Sequence, residues 1–226
     1  NTPMPHHHNT RTIDLAVLDM AGTTIADNGI VERTVNEALH LAGLDAITPE
    51  TLRPLRGMAK TDMFNRLAPD PHKAADAHRN FIDLMLKAVL AGELPAKDGA
   101  ETVLVSLRER GVKTCLMTGF DATVQDALLE TLGWRDLIDL TVAQSATLRG
   151  RPYPDLILTA VIELGIDAVQ RVLVAGDTAN DLLAGTRSGA GHVIGVLGGA
   201  HQREQLQAAP HTAIATNLNE VLVNLA

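Results

Sequence analysis

The sequence has a single cysteine, Cys115, so no disulfide can form within the chain. Aromatic residues make up only 2% of the composition, which predicts an aliphatic core and argues against the stacking platforms that bind single-stranded nucleic acid. No apolar run reaches the roughly 18 residues that a membrane-spanning helix needs. The polar N-terminus, with the histidine run His6–His8, shows no signal-peptide pattern, and we expect a cytoplasmic protein.

Positive charge is also scarce. The chain has 19 basic and 27 acidic residues, which gives a net charge of −8. This balance argues against nucleic acid or another extended polyanion as a partner, but it permits a small anion at one local site. We therefore expect a small-molecule partner, with neither nucleic acid nor membrane, in a protein that could also form a homodimer.

Short apolar runs alternate with longer amphipathic segments along most of the chain. Six runs have the length and composition of strands, at 13–19, 112–117, 137–142, 171–175, 192–196 and 212–215. Helical patterns lie between and after them, at 99–110, 121–133, 154–165, 179–188, 201–208 and 217–225. This alternation predicts an α/β fold, a Rossmann-like parallel sheet covered by helices on both faces.

One region, from about residue 31 to residue 91, departs from this alternation because it has helical patterns and no strand pattern, and a connector at 92–99 follows it. We interpret this region as a small helical cap inserted after the first strand. The predicted domains are thus a catalytic α/β core, formed by residues 1–30 and 97–226, and a helical cap formed by residues 31–96.

Polar residues of the types that take part in catalysis and binding follow four of the predicted strands. In open parallel sheets, ligands bind beyond the carboxyl ends of the strands. Three carboxylates gathered there need a compensating cation, and Mg²⁺ is a hard ion suited to oxygen ligands. A guanidinium offers a planar fork to phosphate, and glycines let the backbone approach a ligand closely. A single acid of this kind is more often a turn former or helix cap, but the set predicts a phosphoryl site with a carboxylate nucleophile. The residues are Asp19 and Gly22, Thr118 and Gly119, Arg149 and Arg151, and Asp177 and Asp181.

In this order, the residues resemble the four motifs of the haloacid dehalogenase superfamily of aspartate-nucleophile phosphotransferases. The motifs are Asp19-Met20-Ala21-Gly22-Thr23, Thr118, Arg151, and Gly176-Asp177-x-x-x-Asp181. The helical insertion resembles the small α-helical cap of one large subgroup. The third motif requires Lys or Arg, and no lysine follows Lys113. Arg149 and Arg151 both lie in the right loop; the GRPYP pattern favours Arg151 and leaves Arg149 as a surface charge.

The resemblance implies a mechanism and a set of ligands. Asp19 attacks phosphorus and forms an aspartyl-phosphate, which water then hydrolyses. Mg²⁺ is held by Asp19, Asp177 and the Ala21 backbone carbonyl, and Asp181 supports this metal site from outside. The implied phosphate-binding residues are Ala21, Gly22, Thr118, Gly119 and Arg151.

Ala21 occupies the position where most phosphatases of this superfamily carry a general acid, and alanine cannot transfer a proton. This departure resembles the phosphonatase subgroup, which hydrolyses phosphonoacetaldehyde to acetaldehyde and phosphate. Cleavage of a P–C bond needs an electron sink, and an imine between a lysine and the aldehyde provides one. Lys60, in the segment RGMAK, matches the subgroup's Gly-x-x-Lys cap motif and is the implied imine-forming residue.

Other interpretations remain open at this point. Lys60 could bind a substrate anion or be a solvated surface charge. The subgroup tends to have a histidine three residues after the lysine, where this chain has Met63. Three functions are therefore considered: P–C bond hydrolysis of a small carbonyl phosphonate, a phosphomonoester phosphatase, and a phosphate-binding regulator without turnover.

Overall fold

The computed structural model describes residues 13–225, so His6–His8 and the first part of the predicted core segment lie outside the described residues. Its centre is a parallel sheet with the strand order β3-β2-β1-β4-β5-β6. The α/β class and the six predicted strands are confirmed. The strands are β1 (Leu15–Asp19), β2 (Lys113–Met117), β3 (Leu140–Val142), β4 (Val172–Gly176), β5 (His192–Val196) and β6 (Ala213–Ala215).

Strand β1 shows why the sheet forms the core, since all five of its residues are buried. Its side chains alternate between the two faces of the sheet. Ala16 and Leu18 pack into the larger apolar cluster, which extends into the helices after β1, whereas Leu15 and Val17 pack into a separate cluster on the other face. Apolar material on both faces is typical of a parallel strand covered by helices.

Nine α-helices surround or extend this sheet within residues 13–225. Four lie between β1 and β2 in the region of the predicted cap: α1 (Ile30–Leu41), α2 (Pro49–Leu52), α3 (Lys60–Leu67) and α4 (Pro71–Leu90). The others are α5 (Ala100–Glu109), α6 (Ala122–Leu132), α7 (Asp155–Glu163), α8 (Ala179–Ser188) and α9 (Arg203–Ala208). None of the described helices combines the length and the apolar character required to cross a bilayer.

Two predicted elements differ in the structure. The third strand begins at Leu140 rather than at residue 137, because Arg135–Leu137 forms a 3₁₀ turn. The segment predicted as a final helix, Leu218–Leu225, is also 3₁₀ rather than α-helical. The remaining predicted helices match α5 to α9 to within a few residues at each end.

Two adjacent linkers connect the helices α1–α4 to the sheet. Ile25 and Ala96 form an isolated β-bridge, the amide of Ala26 donates to the Pro95 carbonyl (2.8 Å), and the amide of Lys97 donates to the Thr24 carbonyl (2.9 Å). These contacts hold the two linkers together. The exact division at residues 31 and 96 into cap and core domains stays a prediction.

Candidate active site

The sheet places three predicted site residues at one edge. Asp19 is the last residue of β1, Thr118 follows β2, and Asp177 follows β4. β1 lies between β2 and β4, and the register pairs Asp19 with Met117 and Leu18 with Ala175. Thr118 and Asp177 therefore begin the loops on either side of Asp19.

A cavity of about 20 Å³ lies where this edge meets the helical region after β1. A volume of this size accommodates about one water molecule. Seven of the nine predicted site residues line it, and their individual roles stay predictions. The lining residues are Asp19, Ala21, Val31, Arg56, Gly57, Lys60, Thr118, Gly119, Phe120, Arg151, Asp177 and Thr178.

Gly22 and Asp181, the other two predicted site residues, do not line the cavity but contact residues that do. Gly22 has a φ of +92°, and a Cβ atom there would lie 2.1 Å from Asp177 Oδ2. Glycine is thus required for the loop after β1 to pack against Asp177. Asp181 is fully buried and is ion-paired to Arg151.

Arg151 is a buried cation between two of these carboxylates. Its Nη1 donates to Asp19 Oδ1 (2.6 Å) and to Asp181 Oδ1, while its Nε is buried without a partner among the described residues. Burial alone would lower the pKa of Arg151, but the carboxylates of Asp181 and Asp19 outweigh burial and raise it, so the guanidinium stays charged. The unpartnered Nε leaves a donor for an anion's oxygen. Arg149, by contrast, is exposed and ion-paired to Asp155 (2.8 Å), as predicted for a surface charge.

Asp19, Asp177 and Asp181 form a buried acidic cluster in which one carboxylate oxygen of each lies within 4.8 Å of the others. Burial raises the pKa of Asp19 to about 7 and that of Asp181 to about 6, although the charge of Arg151 opposes both shifts. One arginine therefore does not fully compensate the cluster. Three oxygen donors with excess negative charge fit a hard divalent cation, so the site could hold a metal.

Lys60, the first residue of α3, supplies a buried amine to the same cavity. Its Nζ donates to the Met58 carbonyl (3.0 Å) and lies 5.4 Å from the centre of the Phe120 ring. Burial and, after it, the nearby charges of Arg151 and Arg56 together lower the pKa of Lys60 to about 7. A large fraction of this amine is consequently neutral, and nucleophilic, near neutral pH.

Gly119 allows the loop before α3 to come this close to the sheet edge. The amide of Lys60 donates to the Gly119 carbonyl (3.1 Å). A Cβ atom at Gly119 would lie 2.4 Å from the Met58 carbonyl oxygen and 3.0 Å from Lys60 Nζ. Any larger residue would push away the segment that carries the amine.

Comparison of the chain with known proteins assigns it to a family. A family model for haloacid dehalogenase-like hydrolases matches residues 13–189. The chain belongs to this family. It is a hydrolase, and it is 30% identical over 208 residues to phosphonoacetaldehyde hydrolase from Bacillus cereus, an alignment that covers 82% of this chain and 76% of that protein.

Two solved structures share the same fold. A hydrolase from Pseudomonas syringae superposes with a TM-score of 0.83 at 22% identity, covering 94% of this chain and 97% of that chain. A phosphonoacetaldehyde hydrolase-like protein from Oleispira antarctica superposes with a TM-score of 0.82 at 18% identity, covering 100% of this chain and 96% of that chain. At these identities the likeness establishes the fold alone.

The motif residues depend on partners that the sequence argument missed. Asp177 accepts hydrogen bonds from the Thr23 hydroxyl (3.1 Å) and from the amide of Ala200 (2.7 Å). Thr178 and Asp181 form a capping box at the start of α8, so the helix-capping interpretation of this motif also holds. The Thr-x-x-Asp spacing could have revealed the box, whereas a backbone amide such as that of Ala200 gives no sequence signal.

Two further missed residues connect the core to the turn before Lys60. Asn180 Nδ2 donates to the carbonyls of Pro54 (3.1 Å) and Arg56 (2.8 Å). His201 accepts the Ala179 amide at Nδ1 (3.0 Å), so its Nε2 carries the proton and donates to the Arg53 carbonyl (2.7 Å). These contacts fix the turn relative to the start of α8, directly after Asp177.

Adding a divalent cation to the metal-free protein should raise its Tm, and the increase should be larger at about pH 8 than at about pH 5. The folded-state pKa values of Asp19 (about 7) and Asp181 (about 6) lie above the ordinary 3.8. Both carboxyls are therefore protonated at about pH 5, and their ionisation costs stability as the pH rises. At a hundredfold excess over the Kd, Mg²⁺ should raise the Tm by about 5–10 °C at the higher pH.

Calorimetry with Mg²⁺ or a chelator at both pH values measures this shift. Asp177→Asn should lose most of it, and Asp14→Asn, which alters a half-buried carboxylate paired with Arg171, should keep it. An equal shift in both variants would show that the cation binds elsewhere.

Proposed function

We propose that the protein cleaves the P–C bond of a small carbonyl phosphonate of the phosphonoacetaldehyde type, with Asp19 as nucleophile and Lys60 as the imine-forming residue. One observation carries the proposal: a buried lysine amine and a buried carboxylate line the same small cavity, which has alanine at position 21. An amine with a pKa of about 7 supports imine chemistry, and the absence of an acid at Ala21 fits a leaving group that needs no proton from it.

Residues in the loops after the strands of the sheet would bind the phosphonate. Arg151 has a free Nε donor, and Thr118 Oγ1 accepts the Phe120 amide (3.0 Å), which leaves its own hydroxyl proton for a phosphonate oxygen. Mg²⁺ would be held by Asp19, Asp177 and the Ala21 carbonyl, supported by Asp181. When bound, it would neutralise the charge of the phosphonate so that an anionic nucleophile can approach phosphorus.

The covalent steps balance with these residues and water. The neutral amine of Lys60 adds to the carbonyl carbon, a C–N bond forms, and water leaves to give an imine, which takes up one proton from solvent and becomes a protonated imine. Asp19 then attacks phosphorus, and the electron pair of the P–C bond moves into the imine to form an enamine. The enamine takes up a proton at carbon and is hydrolysed to acetaldehyde and free Lys60, while a second water hydrolyses the aspartyl-phosphate.

The small size of the cavity favours a cap that moves. The cavity has room for about one water molecule, so we expect the helical region to move away for substrate binding and to close again for reaction. Closure would then keep bulk water from the imine and from Asp19 until the aspartyl-phosphate has formed.

Borohydride reduction in the presence of phosphonoacetaldehyde, followed by peptide mapping, tests the proposal. We expect a stable adduct on Lys60 and none on the other four lysines, together with release of phosphate from phosphonoacetaldehyde. Rapid hydrolysis of simple phosphate esters without phosphonate turnover would overturn the proposal in favour of a phosphatase. Bound phosphate without turnover of either substrate would favour a regulator.

A further inference from the structure

One charged residue of the cavity has no part in the reaction proposed above. Five charged residues line the cavity within the described part of the chain: Asp19, Arg56, Lys60, Arg151 and Asp177. Four of them serve as nucleophile, imine former, phosphonate ligand or metal ligand. Arg56 is the exception, although a mostly buried guanidinium is costly to keep without a function.

Arg56 is held in place by contacts at both ends. Its backbone carbonyl accepts Asn180 Nδ2 (2.8 Å), and its Nη2 is ion-paired with Asp27 Oδ2. Asp27 is itself fixed, because its Oδ1 accepts the Val31 amide (3.0 Å). The side chains of Arg56 and Asp27 are 15% and 14% exposed. The guanidinium is therefore positioned before any ligand binds.

The ion pair uses only one edge of the guanidinium. Arginine has five N–H donors in a planar fork, and Asp27 is the sole partner that the described residues provide for the side chain of Arg56. The charge of Arg56 also lies close enough to Lys60 to lower the pKa of the amine. A free edge beside the imine-forming residue suits a planar anion such as a carboxylate.

The location of Arg56 indicates which part of a substrate would meet it. Arg56 lies in the segment between α2 and α3 and Lys60 is the first residue of α3, whereas Thr118 and Arg151 follow strands of the sheet. A phosphonate bound by the sheet residues would direct its carbon end toward Lys60 and Arg56, which line the same cavity. The group beside the carbonyl carbon would then be the one that contacts Arg56.

We propose that Arg56 binds a carboxylate attached to the substrate carbonyl, so that the substrate class is a 2-oxo acid phosphonate of the phosphonopyruvate type. The inference rests on the proposed function and narrows its substrate. The chemistry stays balanced: Lys60 forms an imine with the keto group as water leaves, the imine takes up one proton from solvent, and Asp19 takes the phosphoryl group. The electron pair of the P–C bond forms an enamine, which is protonated and hydrolysed to pyruvate.

The test compares kcat/KM for phosphonopyruvate and phosphonoacetaldehyde in wild type, Arg56→Met and Arg33→Met. Wild type should have the higher kcat/KM for phosphonopyruvate. Arg56→Met should lower the ratio of kcat/KM for phosphonopyruvate to that for phosphonoacetaldehyde by about 100-fold, because a charged hydrogen bond to a carboxylate contributes about this factor. Arg33, an exposed arginine of α1 that faces Glu93 at 3.9 Å, is the matched control. Its substitution should leave the ratio unchanged.

Asp27→Asn separates ligand binding from a purely structural role. It removes the ion pair but keeps Arg56, so the preference for phosphonopyruvate should persist. If Asp27→Asn and Arg56→Met each lower kcat/KM by the same factor for both substrates, Arg56 only supports the turn and the inference is wrong.

A metal-free trapping assay distinguishes failure of this inference from failure of the proposed function. With borohydride, pyruvate should give an adduct on Lys60 of the wild type. In Arg56→Met, the amount of the pyruvate adduct relative to the acetaldehyde adduct should be much smaller. Lys60-dependent turnover of phosphonoacetaldehyde without any advantage for phosphonopyruvate would overturn the inference and leave the proposed function standing. No adduct on Lys60 with any carbonyl compound would overturn both.

Discussion

Replacing Asp19 with asparagine should lower hydrolysis by at least about 10,000-fold, because an amide cannot attack phosphorus. The loss should not come from unfolding. Burial raises the pKa of Asp19 to about 7, so the ionised carboxylate costs stability at higher pH in the metal-free state. A neutral amide removes this cost, and the Tm of Asp19→Asn should be equal to or higher than that of wild type at about pH 8.

Phosphate release and calorimetry on the metal-free protein measure the two effects. Asp14→Asn is the matched control, since Asp14 lies just before β1 at the opposite end of the strand and pairs with Arg171 (2.5 Å). It should keep full activity. Activity of Asp19→Asn above a few per cent of wild type would remove Asp19 from the role of nucleophile, as would an equal loss in Asp14→Asn.

The architecture was predictable because apolar runs and helical patterns alternate along the chain. The burial of Leu15–Leu18 in β1 is what a continuous apolar run predicts for a parallel strand. The start of the third strand was not predictable in the same way. Trp134 is buried and its Nε1 donates to Glu101 (3.0 Å), and this long-range contact accompanies the 3₁₀ turn over residues that local patterns assign to the strand.

The site was partly predictable for a different reason: several of its predicted residues follow strand ends in sequence. Asp19, Thr118 and Asp177 come together because parallel strands bring their carboxyl ends to one edge. Lys60 was assigned by resemblance, and its burial could not be read from a polar segment. The link between Arg56 and Asp27 spans two segments with no shared pattern, so only the structure reveals that this cation faces the cavity.

Lys60→Met should lower hydrolysis of the phosphonate by about 1,000-fold or more, and Lys60→Arg should not restore it. Arginine retains a positive charge and most of the side-chain length, but its guanidinium stays protonated and forms no imine. The pair of variants therefore separates the two roles considered for Lys60. Imine formation requires the amine, whereas anion binding requires only the charge. Lys73→Met, an exposed lysine of α4, is the control and should keep full activity.

The pH profile provides a second measurement of the same residue. Burial lowers the pKa of Lys60 to about 7, so the reactive neutral form should increase as the pH rises through that value. With phosphonate substrates, kcat/KM should fall by about tenfold per pH unit below it. Burial also makes the protonated form costly to the fold, and Lys60→Met should therefore be at least as stable as wild type at about pH 6. Strong phosphonate hydrolysis by Lys60→Arg, with a flat profile across this range, would contradict the imine and leave Lys60 as an anion-binding residue.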